Sequence, residues 1–526
     1  MDSTGRFAAP TDGATSGTTR APAPAPTAPL PHPLAAALVF VSSGAVLVLE
    51  IVALRLVGPY IGVTLQTNSA VIGVALAAIA YGAWFGGWLA DRVDPRRLIA
   101  PALVLGGITT ALTLPVVRYA GEALRGSAAG GVLLLTALTV FVPAALLSAV
   151  TPLVVKLQLG DLRRTGSVVG RLSGIGTLGG ITATLGTGFV LVIALPSSAI
   201  IGCLAGGLVA GGLGFAAWRR RVEPPDPDRL TRSGRAGAVA AVVGLAGSGL
   251  AVTAPNPCDV ETAYHCAAVV TDAARPTGRL LMLNSARHSY VDLADPRHLE
   301  FAYTRWIGAA ADVIAPPGAP IDALHLGGGG FTLPRYLTAT RPGSSNLVLE
   351  LDGGLVELDR AQLGVRTGPD LDIWIGDARV GLARQPDAGY DLVIGDAFGH
   401  LVVPWHLTTR EFVTDIRRTL RPAGVYALNM IDYPPTRFVR AEVATVAAVF
   451  RHVALVAPPT AIEGLRGANF VLLASDAPLP LDALRERLAT EQAPVAVLAG
   501  PELAAFTDGA RVLTDDHAPV DQLLAW

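Results

Sequence analysis

The stretch DALHLGGGGFTLPRYL, residues 322–337, carries the pattern that decides the fold of the second half of the chain. An apolar run of strand type leads directly into four glycines, residues 327–330, and a segment of helical type follows. Glycines at this position let a ligand approach the backbone closely and let the next helix offer its N-terminus. The stretch therefore predicts a strand, a ligand-binding turn and a helix in succession.

Apolar runs of strand type recur along the second half and alternate with segments of helical type. The predicted strands cover residues 321–326, 346–351, 371–375, 390–396 and 424–430. Strands that alternate with helices form a parallel sheet covered on both faces. The sequence therefore predicts an α/β doubly wound domain, Rossmann-like and of the class I methyltransferase type.

Acidic side chains end three consecutive predicted strands. Glu350 lies 20 residues after Gly330 (350 minus 330), an interval at which a carboxylate commonly accepts hydrogen bonds from ribose hydroxyls. Asp377 ends the third strand and could reach an adenine edge, while Asp396 ends the fourth and could act as a general base or hold a cation. Because ligands of doubly wound sheets bind at these strand ends, we predict an adenosine-type site there.

Each of these signals also has a structural explanation. A run of glycines can form a turn, an Asp after a strand often caps the next helix, and the same fold can be empty. A phosphate-binding site is disfavoured, because no G-x-G-x-x-G or G-K-[ST] motif follows the strand. The formal net charge of −2 creates no field for nucleic acid, so we predict no nucleic-acid partner.

The first half of the chain predicts a multi-pass α-helical membrane bundle. The whole chain of 526 residues is 51% hydrophobic and only 16% charged, which is too apolar for an ordinary soluble protein. Seven apolar stretches approach the roughly 20 residues that cross a membrane as a helix; they cover residues 34–57, 69–90, 98–117, 130–155, 172–194, 198–218 and 236–253. We predict a disordered tail (1–33), about seven helices (34–253), a linker with a β-rich part (254–320) and the Rossmann-like domain (321–526).

The distribution of Lys and Arg predicts the orientation in the cell membrane. Loops after the second, fourth and sixth stretches hold thirteen of these residues, and loops after the first, third and fifth hold only Arg118 and Arg125. By the positive-inside rule the N-terminus is cytoplasmic. The C-terminal domain lies outside if all seven stretches span, but the seventh is short enough to leave its side open.

Several features near the membrane have alternative interpretations. Cys258 and Cys266 could form a disulfide in an oxidising compartment or remain free thiols. A zinc site with His265 is disfavoured, because the spacing matches no common pattern of zinc ligands. Glu50 and Arg55 in the first stretch could pair with each other or line a pore. Pairs of glycines four residues apart in the fifth and sixth stretches favour close helix packing, either within one bundle or in a homo-oligomer.

The motifs of the second half resemble the spermidine synthase family, and more closely its membrane-fused branch. Family members carry GGGDG, vEiD, GDA and D-x-x-D after four successive strands, where this chain has GGGGF, LELD, GDA and DAFG. The closing LTDDHAPVDQLL also resembles the fused branch. The resemblance implies transfer of an aminopropyl group from decarboxylated S-adenosylmethionine, a co-substrate, to an amine, with no permanently bound cofactor and no metal.

The resemblance also assigns roles to individual residues. It implies that six residues bind the donor: Gly327, Gly328, Gly329, Glu350, Asp377 and Ala378. It implies that Asp396 is the catalytic base. On the amine side it implies Tyr264, His265, His288 and Tyr303.

The sequence departs from the family pattern on the amine side. Gly330 and Gly399 replace two family Asp residues, and His265 and His288 replace two Gln residues. The pocket is therefore less anionic, which disfavours putrescine as acceptor. Donors of this family are cytosolic, which conflicts with a domain outside the cell. Two alternatives stay open: a non-catalytic polyamine- or nucleoside-binding or transport protein, and a methyltransferase that uses S-adenosylmethionine.

Overall fold

Two blocks of secondary structure follow one another along the chain, six long helices and then a domain of strands and helices. The computed structural model describes residues 29–62, 65–125, 129–160, 162–222, 250, 253–254, 256–284, 286–399 and 402–524. Most of the predicted N-terminal tail and nearly all of the predicted seventh stretch, 236–253, lie outside these residues.

The first block is a helical bundle. Within the described residues, six helices are long and apolar enough to cross a membrane; they are α1 (His32–Ile61), α2 (Gln66–Ala90), α3 (Pro95–Ala123), α4 (Gly130–Gln158), α5 (Thr165–Ala194) and α6 (Ser197–Val222). Helix α1 is half buried by its neighbours, and large apolar side chains such as Trp84 and Phe189 project from the outside of the bundle. The bundle thus has an apolar exterior as well as an apolar core.

Glycines set the contact between α1 and α5. A Cβ on Gly179 would lie 2.3 Å from the carbonyl oxygen of Phe40, and one on Gly176 would lie 2.9 Å from Oγ of Ser43. Close packing inside one bundle, one of the two predicted alternatives, is thus observed at Gly176 and Gly179, whereas a Cβ on Gly180, the predicted partner of Gly176, would meet Leu47 only at 3.6 Å. Around the paired glycines of α6, Gly202 and Gly206, a Cβ would meet no atom of the described residues within 4 Å.

The second block begins with a small antiparallel sheet. Its strands follow one another in sequence order; they are β1 (Val260–Glu261), β2 (Cys266–Thr271), β3 (Gly278–Leu283) and β4 (Ala286–Asp292). Cys258 and Cys266 form a disulfide, one of the alternatives left open by the sequence. We call residues 258–266, which this bond closes into a loop, the disulfide hairpin.

An eight-stranded sheet forms the main part of the second block, in the order β12-β10-β11-β9-β8-β5-β6-β7. The strands are β5 (Asp322–Leu326), β6 (Ser345–Glu350), β7 (Leu371–Ile375), β8 (Tyr390–Gly395), β9 (Leu420–Asp432), β10 (His452–Ala457), β11 (Ala468–Ser475) and β12 (Ala496–Ala499). The five predicted strands pair in parallel as β9-β8-β5-β6-β7. Three strands that we did not predict extend the sheet in antiparallel fashion from β9.

Helices cover both faces of this sheet, so the predicted α/β doubly wound fold class is confirmed. They are α7 (Ala302–Val313), α8 (Thr332–Thr340), α9 (Gly353–Leu358), α10 (Ala378–Leu382), α11 (Arg410–Thr419), α12 (Arg437–Ala447), α13 (Pro459–Ile462), α14 (Leu481–Leu488), α15 (Gly500–Phe506) and α16 (Val520–Leu523). Two apolar clusters, one containing Leu324 and Val393 and the other Leu392 and Ile394, separate the sheet from these helices. Alternate residues of one strand thus enter opposite cores, as expected for a sheet buried on both faces.

The disulfide hairpin joins the two blocks. Arg55 of α1 donates hydrogen bonds to the carbonyl oxygens of Ala263 at 2.6 Å and Thr262 at 2.5 Å. Glu261 accepts a hydrogen bond of 2.7 Å from the backbone N–H of Ser197, at the start of α6. Arg55 is therefore tied to the second block, and its hydrogen bonds do not go to Glu50.

Candidate active site

The glycine loop after β5 passes very close to the end of β8. A Cβ on Gly327, whose φ is +96°, would lie 2.5 Å from the carbonyl oxygen of Asp396. Gly329, with a φ of +50°, also has a left-handed conformation. Only glycine combines this conformation with so little space, so the loop holds its backbone at the ends of the parallel strands.

Glu350 at the end of β6 supports this loop. Its Oε2 accepts a hydrogen bond of 2.7 Å from the N–H of Gly328, and its Oε1 accepts one of 2.9 Å from the N–H of Asp352. A carboxylate offers about four acceptor positions on its two oxygens, so Glu350 can still accept from ligand hydroxyls. It is 7% exposed and lines the cavity described below.

Asp377 both caps a helix and borders the site. Its Oδ1 accepts hydrogen bonds from the N–H groups of Arg379 at 2.9 Å and Val380 at 3.1 Å, at the start of α10. Its Oδ2 lies 2.9 Å from Nε2 of His406. Asp377 thus caps a helix, as one of the two interpretations proposed. Asp377 and His406 also both line the cavity described below.

Asp396 follows β8 and occupies the centre of the site. Asn429 of β9 donates a hydrogen bond of 2.8 Å to its Oδ1, and the hydroxyl of Tyr303 donates another. Burial raises the pKa of Asp396 to about 6, although these two hydrogen bonds act in the opposite direction. A carboxylate with a pKa near neutrality suits a general base.

The disulfide hairpin supplies the opposite wall. Nδ1 of His265 lies 3.1 Å from Oδ2 of Asp352, which also accepts a hydrogen bond from Oγ1 of Thr262. Burial opposes ionisation of Asp352, but the bonds from His265 and Thr262 hold its pKa below the usual value. An ionised Asp352 therefore fixes the ring of His265 at the edge of the site.

These groups enclose a cavity of about 100 Å³. It is lined by His265, Leu283, His288, Gly327, Gly329, Leu349, Glu350, Leu351, Leu355, Asp377, Ala378, Asp396, Ala397, Phe398, Pro404, His406 and Leu407. Pockets for small molecules typically measure about 300–1,000 Å³, so a nucleoside would have to displace part of this lining.

The structure brings most of the predicted residues together. Eight of them line the cavity: His265, His288, Gly327, Gly329, Glu350, Asp377, Ala378 and Asp396. Gly328 and Tyr303 contact Glu350 and Asp396 from behind. Tyr264 lies apart, on a neighbouring cavity between the bundle and the domain.

Sequence reasoning missed His406, Asn429 and Asp352. Asp352 could have been found, because it is the second acid of the LELD motif. His406 and Asn429 carry no local signal, since each reaches the site through a partner that is 29 or 33 residues away in the chain.

The two positions where the chain lacks a family Asp differ in their surroundings. A Cβ on Gly330 would lie 3.0 Å from Cβ of Ser289 and 3.2 Å from Cγ2 of Val291, so the space for a longer side chain is already filled. Among the described residues, the first atom that a Cβ on Gly399 would meet lies 3.8 Å away. Packing thus disfavours a carboxylate at position 330, and the described residues leave room for one at position 399.

A glycine loop and acidic strand ends on a doubly wound sheet define the class: an α/β domain with a candidate ligand site at the carboxyl ends of its parallel strands. No family model matches the chain. A polyamine aminopropyltransferase of Vibrio vulnificus is 28% identical over 246 residues, which cover 44% of this chain and 79% of that protein. A probable polyamine aminopropyl transferase of Bifidobacterium longum is 31% identical over 109 residues, 21% of this chain and 24% of that protein.

A solved structure matches at similar identity. The probable spermidine synthase of Corynebacterium glutamicum is 30% identical, with a TM-score of 0.46; the match covers 49% of this chain and 95% of that one. On this sequence identity and coverage, the chain belongs to the spermidine synthase family, which is a family of transferases.

Proposed function

We propose that this protein is a membrane-bound aminopropyltransferase that uses decarboxylated S-adenosylmethionine as donor and an amine as acceptor. The observation that carries the proposal is Asp396, a half-buried carboxylate that lines the same cavity as the glycine loop, Glu350 and Asp377 and has a pKa of about 6. The polyamine aminopropyltransferase of Vibrio vulnificus supports the same reaction class.

The residues divide the chemistry between them. Glu350 would accept hydrogen bonds from the ribose hydroxyls, Asp377 would contact the adenine, and the glycine loop would admit the donor to the backbone. Asp396 would take a proton from the acceptor amine, whose lone pair then attacks the propyl carbon next to sulfur. A C–N bond forms, the C–S bond breaks with its electrons passing to sulfur, and methylthioadenosine leaves.

We place the six long helices in the cell membrane. Side chains such as Trp84, Phe189 and Ile193 are 64%, 74% and 70% exposed on the outside of the bundle, a surface that suits lipid and not water. We also infer a cytoplasmic N-terminus, which the distribution of Lys and Arg among the loops supports.

We also propose that the domain lies on the non-cytoplasmic side. Its hairpin contacts Arg55 near the end of α1 and Ser197 between α5 and α6, both on the end of the bundle whose loops are poor in Lys and Arg. The donor would then have to be supplied on that side.

Impermeant thiol reagents should label Cys258 and Cys266 in intact cells, but only after reduction. Labelling that requires permeabilised cells would place the domain inside.

The proposed reaction is tested with the purified full chain, decarboxylated S-adenosylmethionine and a panel of amines. We expect amine-dependent release of methylthioadenosine. Methyl transfer is the second candidate, favoured by Gly330, because the chain lacks the carboxylate that would select the decarboxylated donor. Release of S-adenosylhomocysteine from S-adenosylmethionine, without release of methylthioadenosine, would establish that alternative and exclude aminopropyl transfer.

A further inference from the structure

A cavity of about 390 Å³ lies among the last helices of the domain. Its walls come from α12, from the turn after α15 and from residues 513–523, which belong to the closing LTDDHAPVDQLL stretch. The proposed mechanism uses none of these residues. The volume falls within the range of about 300–1,000 Å³ that is typical of small-molecule pockets. We call this space the arginine cavity.

The arginine cavity carries an excess of positive charge. Three guanidinium groups line it, those of Arg437, Arg440 and Arg511. Among the described residues of the lining, Asp508 supplies the one carboxylate. The ring of His517 adds a group that can donate a hydrogen bond. Because like charges that are held together repel each other, an anion between them would stabilise this arrangement.

Neighbouring carboxylates leave this excess of charge in place. Asp515 pairs with Arg379 at 2.6 Å. Asp516 and Asp521 are exposed and do not belong to the lining, and solvent and salt screen such charges. Glu442 of α12 is fully buried, and burial raises its pKa well above the usual value, so this group favours its neutral form.

The guanidinium groups are free to bind a ligand. Arg437 and Arg511 are exposed, and neither makes a hydrogen bond or an ion pair within the described part of the chain. Arg440 lies over the ring of Phe506 at 4.8 Å and donates one long hydrogen bond of 3.4 Å, from Nε to Oγ1 of Thr436. Guanidinium groups pair well with phosphate, often through two parallel hydrogen bonds.

The rest of the lining is mostly apolar. It includes Ala441, Leu513, Pro519 and Leu523. The cavity therefore matches a phosphate group that is attached to a small apolar body. Every residue of the lining belongs to the C-terminal part of the domain, and none comes from the bundle or the disulfide hairpin. This position favours a soluble ligand over a membrane lipid.

The closing segment connects the arginine cavity to the candidate active site. The backbone groups of Thr514 and His517 bond to each other in both directions, at 3.2 and 2.9 Å, and Asp515 lies between them in the chain. The carboxylate of Asp515 accepts hydrogen bonds of 2.8 and 2.6 Å from Arg379. Arg379 also donates one of 3.0 Å to the carbonyl oxygen of His406, which lines the active-site cavity. A ligand that holds the closing segment therefore also holds this edge of the site.

We propose that the arginine cavity binds a soluble phosphate monoester with a small apolar body, and that this ligand stabilises the edge of the candidate active site through the Asp515–Arg379 pair. The phosphate pairs with the arginines, and the apolar body lies against Leu513 and Leu523. This inference goes beyond the proposed reaction, and its test needs neither donor nor acceptor.

Binding is measured by calorimetry on the full chain in nanodiscs of phosphatidylcholine, with hexyl phosphate as the probe. We expect hexyl phosphate to bind, inorganic phosphate to bind more weakly and hexanol not to bind, because the charge and the apolar body both contribute. Raising the salt concentration should weaken binding. Amide hydrogen exchange of α10, measured on the same sample, should become slower when hexyl phosphate is bound.

Variants locate the site. Arg437→Gln and Arg511→Gln each remove one charge of the cavity, whereas Arg451→Gln removes an exposed charge just beyond the end of α12. Each cavity variant should weaken binding of hexyl phosphate by about tenfold or more, the loss expected for a hydrogen bond to a charged group, and the control should bind normally. Unchanged thermal midpoints would show that all three variants are folded. Asp515→Asn should retain the affinity but lose the slower exchange of α10.

Four results would overturn the inference. Absence of binding with every phosphate probe would exclude this class of ligand. Normal affinity in both arginine variants would mean that the phosphate binds elsewhere. Binding of phosphatidic acid added to the nanodiscs, without binding of hexyl phosphate, would replace the soluble ligand by a lipid headgroup. Binding of hexyl phosphate with unchanged hydrogen exchange in α10 would exclude an effect on the candidate active site.

Discussion

The candidate site has two halves, for which we propose binding of the donor and of the acceptor, and they differ in how they are built. The donor half consists of the glycine loop, Glu350 and Asp377, all at the ends of adjacent parallel strands and bonded to backbone groups. The acceptor half is assembled from the disulfide hairpin and borders the helical bundle. The sheet therefore fixes the positions of the residues in the donor half. The residues of the acceptor half depend instead on which elements pack beside the sheet.

The largest effect is expected at Asp396, where the two halves meet. Asp396→Asn keeps the shape but cannot take the proton, so turnover should fall by about 10²- to 10⁴-fold. Donor affinity should stay within a few-fold, because the group acts on the amine. Asp372→Asn, on the exposed part of β7, is the matched control. Full activity of Asp396→Asn in a methylthioadenosine assay would remove Asp396 as the base.

The pH profile gives an independent check on the same residue. Asp396 acts as a base only when ionised, and burial raises its pKa to about 6. The kcat/KM should therefore fall as the pH drops through about 6 and level off above it. A profile that is flat between pH 5 and pH 8 would contradict this assignment.

Glu350→Gln should separate the donor half from the acceptor half. The amide retains one acceptor oxygen but loses the charge, and a hydrogen bond to a charged group contributes about 1.5–3 kcal/mol. Donor affinity measured by calorimetry should weaken by about tenfold or more, while the KM for the acceptor stays constant. Glu357→Gln, on an exposed side chain of the next helix, serves as control. An unchanged donor affinity would show that Glu350 is only a support for the loop.

Gly330→Asp tests whether the acceptor half can be returned to the family pattern. Because its Cβ would lie 3.0 Å from that of Ser289, the variant should lose about 1–3 kcal/mol of stability through overpacking. Gly399→Asp introduces the same side chain where the first contact is 3.8 Å away, and should unfold at the normal temperature. Equal thermal midpoints for both variants would mean that packing does not exclude the first carboxylate.

The smallest effect on turnover is expected at Asp359, which lies next to Glu350 and acts on stability. Its side chain is 0% exposed, and neither carboxylate oxygen has a hydrogen-bond partner among the described residues. Burial, with repulsion from Glu350, raises its pKa from the usual 3.8 to about 9. The native state thus keeps a proton that the unfolded chain releases, so this group lowers stability progressively as the pH rises from about 4 to about 9.

Asp359→Asn removes this dependence. The variant should be more stable than the native chain at pH 8, and the gain should shrink as the pH falls to 4, measured as the shift of the thermal midpoint. Asp482→Asn, which changes a fully exposed side chain, should shift the thermal midpoint by the same amount at both pH values. A lower midpoint for Asp359→Asn at pH 8 would show that the carboxyl is ionised and satisfied in the native protein.

The sequence predicted the features that depend on neighbouring residues better than those that depend on contacts between distant residues. The five strands of the parallel part were predicted within a few residues, since each contains a compact apolar run. The antiparallel strands β10 to β12 were missed, although they extend the same sheet. The sequence left open whether Asp377 caps a helix or binds a ligand. In the structure it caps a helix and also contacts His406, and the second contact depends on the position of a distant loop.

The sequence alone determined the fold class and the donor half, because parallel strands must end on one edge and therefore bring Gly327, Glu350, Asp377 and Asp396 together. Only the tertiary structure decided the environment of Asp396, whose partners Tyr303 and Asn429 come from distant elements. It also decided that Arg55 and the disulfide hairpin join the site to the bundle. Periodicity and spacing are local properties of a chain, whereas burial and contacts between distant residues exist only after the elements have packed.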